Sequence, residues 1–539
     1  MQRRTSHDWL KSPAEAFSVA GLTARLVAAR FPLGRIGWLI AAILTLAAGL
    51  LRFWDLGHPH ELIFDETYYV KDAYALWHFG YERSWDDDVD EAFVAGTAQP
   101  GTDAAYVVHP PAGKWLIGIG MAIFGYDSAF GWRFTAALVG TLAVLLTFVL
   151  AAQLFRSLTL ASVAGVLLTI EGHHIVMSRT ALLDIFLMFF VLAACCALIA
   201  DRTWGRRRLV AELAGRYQRA SIPTATRHDR AQWQRTLTYG PWLGWRPWRI
   251  LAGVLLGIAV SVKLSGLAFV AVFGLLTVWW DANARKTAGI RRWLPGAVVL
   301  DGLWAFVCVV GVGTVTYMST WAGWLSTHGG YYRNWAENQD MPLPDWLASL
   351  IHYHVQSTTF HAGLDSSHNY ASAAWIWPFA GRPVSFYYRT EDIECAAEQC
   401  SAAILDLPNP LIWWAGLLAI VIIFLRWMLV RDWRAGALLA VYVAGQLIWT
   451  LWPARTMFFF YTVAYVPFLV LAITYVAGLW LARTTPQGSG LASRRSAVIG
   501  IGLFVLAALA LSAYFLPVWT GEPITHDQWR ARMWFQSWI

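Results

Sequence analysis

Charge is scarce in this chain. Only 14% of its 539 residues are Asp, Glu, Lys or Arg, where a soluble globular domain carries about 25%. With 57% hydrophobic residues and a mean hydropathy of +0.46, that shortage excludes an ordinary soluble protein. Cysteine is rare too, at five, which excludes a disulfide-built scaffold. No HExxH or other tight ligand spacing is present, so a divalent metal remains open but has no spacing to support it, and no cofactor is assigned. No internal repeat is visible, which weakens a transporter built from two related halves. The opening MQRRTSHDWLKSPAEAF lacks the apolar stretch and small-residue cleavage site of a secretory leader. The first span is therefore expected to be an uncleaved anchor.

Long apolar runs are abundant. A bilayer core needs roughly 20 apolar residues per helix, and the runs 36–54, 130–155, 159–177, 181–200, 298–318, 411–430, 435–452, 458–480 and 497–517 qualify. The stretch 248–281 is too long for one span. It breaks near Lys263-Leu264-Ser265-Gly266 and reads as two helices joined by a tight turn, giving about eleven. The 33 Trp suit the membrane–water boundary, where the ring is buried and the N–H stays wet.

The net charge of +7 follows topology rather than a nucleic-acid face, because the Arg residues sit between apolar runs. The segment 201–249 holds eleven Arg against Asp201, Glu212 and Asp229, which predicts a cytoplasmic loop. Segment 55–113 has two basic residues against twelve acids, and 319–410 has three against nine. Both are expected outside. The predicted organisation is thus a cytoplasmic segment 1–35, a first span 36–54 and an outer loop 55–129. Spans two to seven follow over 130–318, then a second outer loop 319–410, spans eight to eleven over 411–517 and an outer tail 518–539.

Function is expected in the outer loops. Phe64-Asp65-Glu66-Thr67-Tyr68-Tyr69 places two carboxylates in one turn, pointing in different directions. One suits a site and the other a structural partner, and partial burial would raise a carboxyl pKa as a general base requires. The run Asp86-Asp87-Asp88 with Asp90-Glu91 reads as solvated. In His109-Pro110-Pro111-Ala112-Gly113-Lys114 the prolines suit a helix start, and free N–H groups with Lys114 in the first turn suit an anion. Arg133, Arg179, Asp184, Lys263 and Arg455 fall at the same outer level, as a pocket for an anionic amphiphile would require. Cys395 and Cys400, in CAAEQC, are expected to pair on an oxidising side; two cysteines without further partners make a poorer metal site.

The motifs FDETYYV, VVHPPAGKWLIGIG, FGWRFTAALVG, RTALLDIF and SVKLSG, in that order, resemble the protein O-mannosyltransferases, glycosyltransferase family 39. HYH, TFHAGL, SSHNY and WIWPFAGRPV in the second loop, and ARTMFFFYTVAYVPFLVLAI near the end, are similar to the actinobacterial members. The resemblance implies an all-α polytopic GT-C fold and a polyprenyl-phosphate-mannose donor. It implies transfer of mannose, with inversion, to Ser or Thr of secreted proteins at the outer face of the plasma membrane, where acceptors leave the secretion translocon. Asp65 matches the family's catalytic aspartate, Glu66 its neighbour and Arg133 its arginine in the second span. His109, Lys114, Arg179, Asp184, Lys263, His361 and Arg455 are placed with the donor phosphate and the structure of the site. The second loop is too short for the β-trefoil MIR domain of eukaryotic relatives, and Leu264 stands where the family reads Trp.

On this reading Asp65 takes the acceptor proton and the phosphate leaves without a general acid. Two rivals stay open. One is another lipid-phosphate-sugar transferase, with a glycolipid or glycan acceptor; the other is a lipid or sugar transporter.

Overall fold

In the computed structural model residues 13–28, 31–483 and 491–539 are described; the start of the 1–35 segment lies largely outside them. Nine helices among the described residues are long and apolar enough to cross a membrane. They are Gly34–Phe53, Ala129–Phe155, Asp184–Ser221, Gly266–Ala288, Trp293–Thr320, Pro410–Val430, Trp433–Leu451, Phe459–Ala482 and Arg494–Phe515. A tenth, expected at 159–177, is a pair, Leu158–Thr169 and Gly172–Ser178, bent by 60°. The eleventh is Pro247–Val262, only 16 residues long. Every expected span thus has a helical counterpart, and the two weakest by length are a bent helix and a short one.

Sequence explains the ends. The Ser128 hydroxyl accepts from Gly131 N–H at 3.3 Å, and Asn409 accepts from Leu411 and Ile412 N–H at 3.0 and 3.2 Å, satisfying donors that a helix start leaves free. The break at Lys263–Ser265 closes against Gly266, whose missing side chain lets the backbone of Ala259 and Val260 approach; a Cβ there would sit 2.8 Å from Val260 N.

The chain divides into two compact units. One takes residues up to 30, 193–257 and 270–316. Within it Leu22, Leu26, Leu209, Leu213 and Ile290 form an apolar cluster. Arg246 and Arg249 are buried against Asp201 and Asp281 at 2.6 to 3.3 Å. Balanced pairing is what makes such buried charge tolerable. Part of the basic 201–249 segment is here a continuation of the 38-residue Asp184–Ser221 helix, followed by Arg227–Tyr239, which begins with a Thr226/Asp229 capping box.

The other unit takes 31–192, 258–269 and 317–539 and carries the candidate site. Its loops build a small antiparallel sheet, β1 (Val384–Arg389), β2 (Cys400–Asp406) and β3 (Ile524–Thr525), in the order β1-β2-β3. Val384 pairs with Asp406 and Cys400 with Thr525, so the tail is stitched to the second loop. Cys395 and Cys400 are disulfide-bonded, closing the β1–β2 connection. Asp406, at the end of β2, meets His173 of the bent pair at 2.5 Å, which ties this sheet to the spans beneath it.

Candidate functional site

Asp65 stands at the start of the Glu66–Phe79 helix. Successive helical residues are rotated by about 100°, so positions i, i+4 and i+7 share a face. Asp65, Tyr69 and Asp72 are such a stripe, and all three line one cavity of about 1110 Å³. Burial pushes the Asp65 carboxyl up to about 6; the Lys263 ammonium opposes that rise, the Asp184 charge adds to it, and a hydrogen bond from the Tyr69 hydroxyl opposes it. The result is a carboxylate that is ionised near neutrality yet basic enough to take a proton.

Glu66, one residue on, turns away from the cavity. It is fully buried, accepts from Arg133 Nε and Nη2 at 2.9 and 2.8 Å, and accepts the N–H groups of Ile63 and Ala181 at 3.1 and 2.8 Å. Arg133 also donates to the carbonyls of Pro59 and Glu61 at 2.9 and 3.0 Å. Arg179 donates to the carbonyls of Arg52, Trp54 and Asp55 at 3.2, 2.6 and 3.1 Å. A catalytic Glu66 and substrate-binding Arg133 and Arg179 were expected. None of the three lines the cavity: Glu66 and Arg133 are buried against each other and Arg179 donates to backbone carbonyls, so all three hold the first loop over the spans.

The cations that do reach the cavity divide sharply. Lys114 is buried between Glu82 and Asp72, the latter at 3.8 Å. Burial pushes Asp72 up to about 7, with Lys114 opposing the rise and Glu82 adding to it. Lys114 is therefore neutralised by carboxylates rather than left for a phosphate. Lys263 donates to both oxygens of Asp184 at 3.0 and 2.9 Å and lies 4.1 Å from the centre of the Tyr461 ring. Asp184 itself serves this pair and does not line the cavity.

Arg455 differs from Lys114 and Lys263: like Arg83, which also lines the cavity, it takes part in none of the ion pairs among the described residues. Its Nε donates to the His361 carbonyl at 3.0 Å and its Nη2 to His361 Nδ1 at 3.3 Å, while Nη1 is buried with no hydrogen-bond partner. His361 Nε2 donates to the Val108 carbonyl at 3.1 Å, which leaves Nδ1 free to accept from Arg455. His109 stacks on His361 with ring centres 5.0 Å apart. Burial, then the Arg455 charge, lowers His361 to about 4. Burial, then Lys263, pushes His109 well down. Both rings are neutral near pH 7, so the positive charge offered to a ligand at this end comes from Arg455.

Six of the ten expected residues thus line the cavity: Asp65, His109, Lys114, Lys263, His361 and Arg455. Sequence reasoning missed Tyr69, Asp72, Glu82 and Tyr461. The first two follow from helical spacing in DETYYVKD; nothing in the pattern marks Glu82 or Tyr461. The run Asp86–Asp88 with Asp90 and Glu91, read as solvated, lies along the cavity lining, although Asp86, Asp87 and Asp88 are exposed and Asp90 pairs with Lys71 at 2.7 Å. Among the described residues no group of three or more His, Cys, Asp or Glu is arranged to hold a metal ion.

Residues 42–209 match the dolichyl-phosphate-mannose-protein mannosyltransferase family, and 346–538 match the C-terminal four-transmembrane region of protein-O-mannosyltransferase. The chain is 36% identical over 522 residues to a polyprenol-phosphate-mannose–protein mannosyltransferase of Mycobacterium tuberculosis, covering 94% of this chain and 93% of the relative. It belongs to the protein mannosyltransferase family. A Corynebacterium glutamicum relative of the same description is 33% identical over 519 residues, covering 93% of each chain. In fold, this mannosyltransferase resembles the Saccharomyces cerevisiae protein O-mannosyltransferase Pmt1-Pmt2 complex bound to the sugar donor. That match has a TM-score of 0.67 at 13% identity and covers 96% of this chain and 94% of the other, placing the fold in the GT-C class.

Proposed function

We propose that this mannosyltransferase moves mannose from a polyprenyl-phosphate carrier to Ser or Thr hydroxyls of secreted proteins by a single inverting displacement, with Asp65 as base. The observation that carries the reading is one cavity lined both by a carboxylate raised to about 6 and by an arginine with an unfilled, buried N–H group. The acceptor O–H proton passes to Asp65. The oxygen attacks the sugar carbon, the carbon–oxygen bond to phosphate breaks, and the lipid phosphate leaves with the electron pair. Phosphate carries its own negative charge as it departs, so no second carboxylate is needed as acid, unlike alcohol-releasing glycosidases. Arg455 meets the charge that grows on the leaving oxygen, the position where preorganised donors matter most.

The acidic balance of 55–113 and 319–410 and the eleven Arg of 201–249 support an outer active site in the plasma membrane. Secreted chains would reach it unfolded, as they leave the translocon, with hydroxyls still accessible. The function is tested with purified protein, labelled polyprenyl-phosphate-mannose, and a Ser/Thr peptide or a glycolipid as alternative acceptors. The expected product is a mannosyl peptide with the anomeric configuration opposite to the donor's. Labelling of the glycolipid alone, or retained configuration, would contradict the proposal.

A further inference from the structure

A second cavity, of about 550 Å³, adjoins the first and shares Tyr106, Phe360 and Leu364 with it. Its character is distinct. Where the larger cavity carries Asp65, Lys71, Asp72, Arg83, Lys114, Lys263 and Arg455, Asp365 is the lone Asp, Glu, Lys or Arg of the smaller one. The Gln356 amide and the Thr359 hydroxyl, one turn apart on the Asp345–Gly363 helix, supply hydrogen-bonding groups. Tyr106 and Tyr332 supply flat, amphipathic rings 6.0 Å apart. Gly363 ends that helix, and a Cβ there would meet nothing within 4 Å, so the space beside it is open.

One strained residue stands in this wall. Tyr332 has a φ of +57°, a conformation that costs a bulky side chain energy and persists where surroundings enforce it. The enforcing contacts are rings: Tyr331 at 4.6 Å and His352 at 4.7 Å, with His352 stacked on Trp335 at 3.9 Å. The fold therefore keeps the Tyr332 ring at the cleft.

We propose that this cleft, which has no cation in its lining, is the subsite for the polypeptide acceptor, holding an extended, neutral segment beside the Ser or Thr that reaches Asp65 past Tyr106 and Phe360. A lipid phosphate gains nothing from it, since the cleft offers no cation. An extended peptide does: its free backbone N–H and C=O groups match Gln356 and Thr359, and aromatic rings take apolar side chains and proline without demanding one sequence. The acidic residue Asp365 disfavours acidic acceptors at this end.

The subsite rests on the protein-acceptor reading, and the test separates the two. Unaltered protein that transfers no mannose to any peptide overturns the function itself. Given transfer, Gly363→Trp puts an indole at the cleft from a position where the added Cβ meets nothing within 4 Å. It is expected to raise the KM for peptide about tenfold or more with the KM for donor unchanged, the sign of lost binding rather than lost chemistry. Gly274→Trp, at an open glycine outside both cavities, controls for added bulk and leaves both constants as they are. An unchanged peptide KM in Gly363→Trp, or a change confined to the donor KM, overturns the subsite. If Gly363→Trp is inactive altogether, a photo-crosslinking residue in place of Gln356 decides. Capture of labelled acceptor peptide, displaced by unlabelled peptide and not by polyprenyl phosphate, supports the cleft, and no capture overturns it.

Discussion

Glu66 accepts two hydrogen bonds from Arg133, at 2.9 and 2.8 Å, with both side chains fully buried. Its neighbour Asp65 faces the cavity instead. Two adjacent carboxylates therefore do different work, and the difference comes from helical rotation alone. On the proposed function Asp65 is the base; Glu66, through Arg133 and the carbonyls of Pro59 and Glu61, fixes the turn that presents it.

Arg133→Ala is accordingly expected to destabilise the protein by about 3–5 kcal/mol, because it strands the buried Glu66 charge. Thermal unfolding in detergent measures the effect. Glu66→Gln keeps the shape and part of the hydrogen bonding and should lose less. If Arg133→Ala unfolds like the unaltered protein, the pair is not structural.

With Asp65 as the base, its raised carboxyl is expected to set the acid limb, while Asp72, pushed up to about 7 in the same cavity, titrates beside Lys114 in the same window. Below about 6 Asp65 is protonated and cannot take the acceptor proton. The kcat/KM for peptide is therefore expected to fall about tenfold between pH 7 and pH 5. His361, held near 4, stays neutral through that window and does not add a second limb. Tyr69→Phe removes a hydrogen bond that favours the ionised carboxylate, so the limb should move to higher pH. A limb that does not move would remove Tyr69 from this role.

Arg455 and Lys114 should separate cleanly. Arg455→Ala removes charge-assisted hydrogen bonds to phosphate worth about 1.5–3 kcal/mol, so the KM for donor should rise roughly 10- to 150-fold. Arg455→Lys restores charge without the planar fork and should recover part of the loss. Lys114→Ala leaves Glu82 and Asp72 facing each other, and its main cost should be stability, read as a lower unfolding temperature. A Lys114 variant of full stability with a selectively raised donor KM would reverse that assignment.

The fold was largely legible because hydrophobic length is a local property: each apolar run became a helix, and the break at Lys263 became a turn. The sheet was not, since β2 is buried on both faces and so shows no alternation, and β3 contributes only Ile524 and Thr525. The site was half legible. Asp65 and its cavity neighbours carry recognisable motifs, but sequence cannot tell a free cation from a paired one. Arg133, Arg179 and Lys114 looked like phosphate ligands because their partners, distant in sequence or backbone carbonyls, leave no local trace. Arg455 looked no stronger than they did, yet among these four its Nη1 is left unfilled at the cavity, as is Nε of Arg83.

The central claim is that Asp65 is the base for mannose transfer to a hydroxyl. The most direct test compares Asp65→Asn with the unaltered protein, both purified and given labelled polyprenyl-phosphate-mannose and a Ser/Thr peptide. Asparagine keeps the size and cannot accept the proton, so transfer should fall about 10²- to 10⁴-fold while donor binding and unfolding temperature hold. Near-normal transfer by Asp65→Asn would contradict the account.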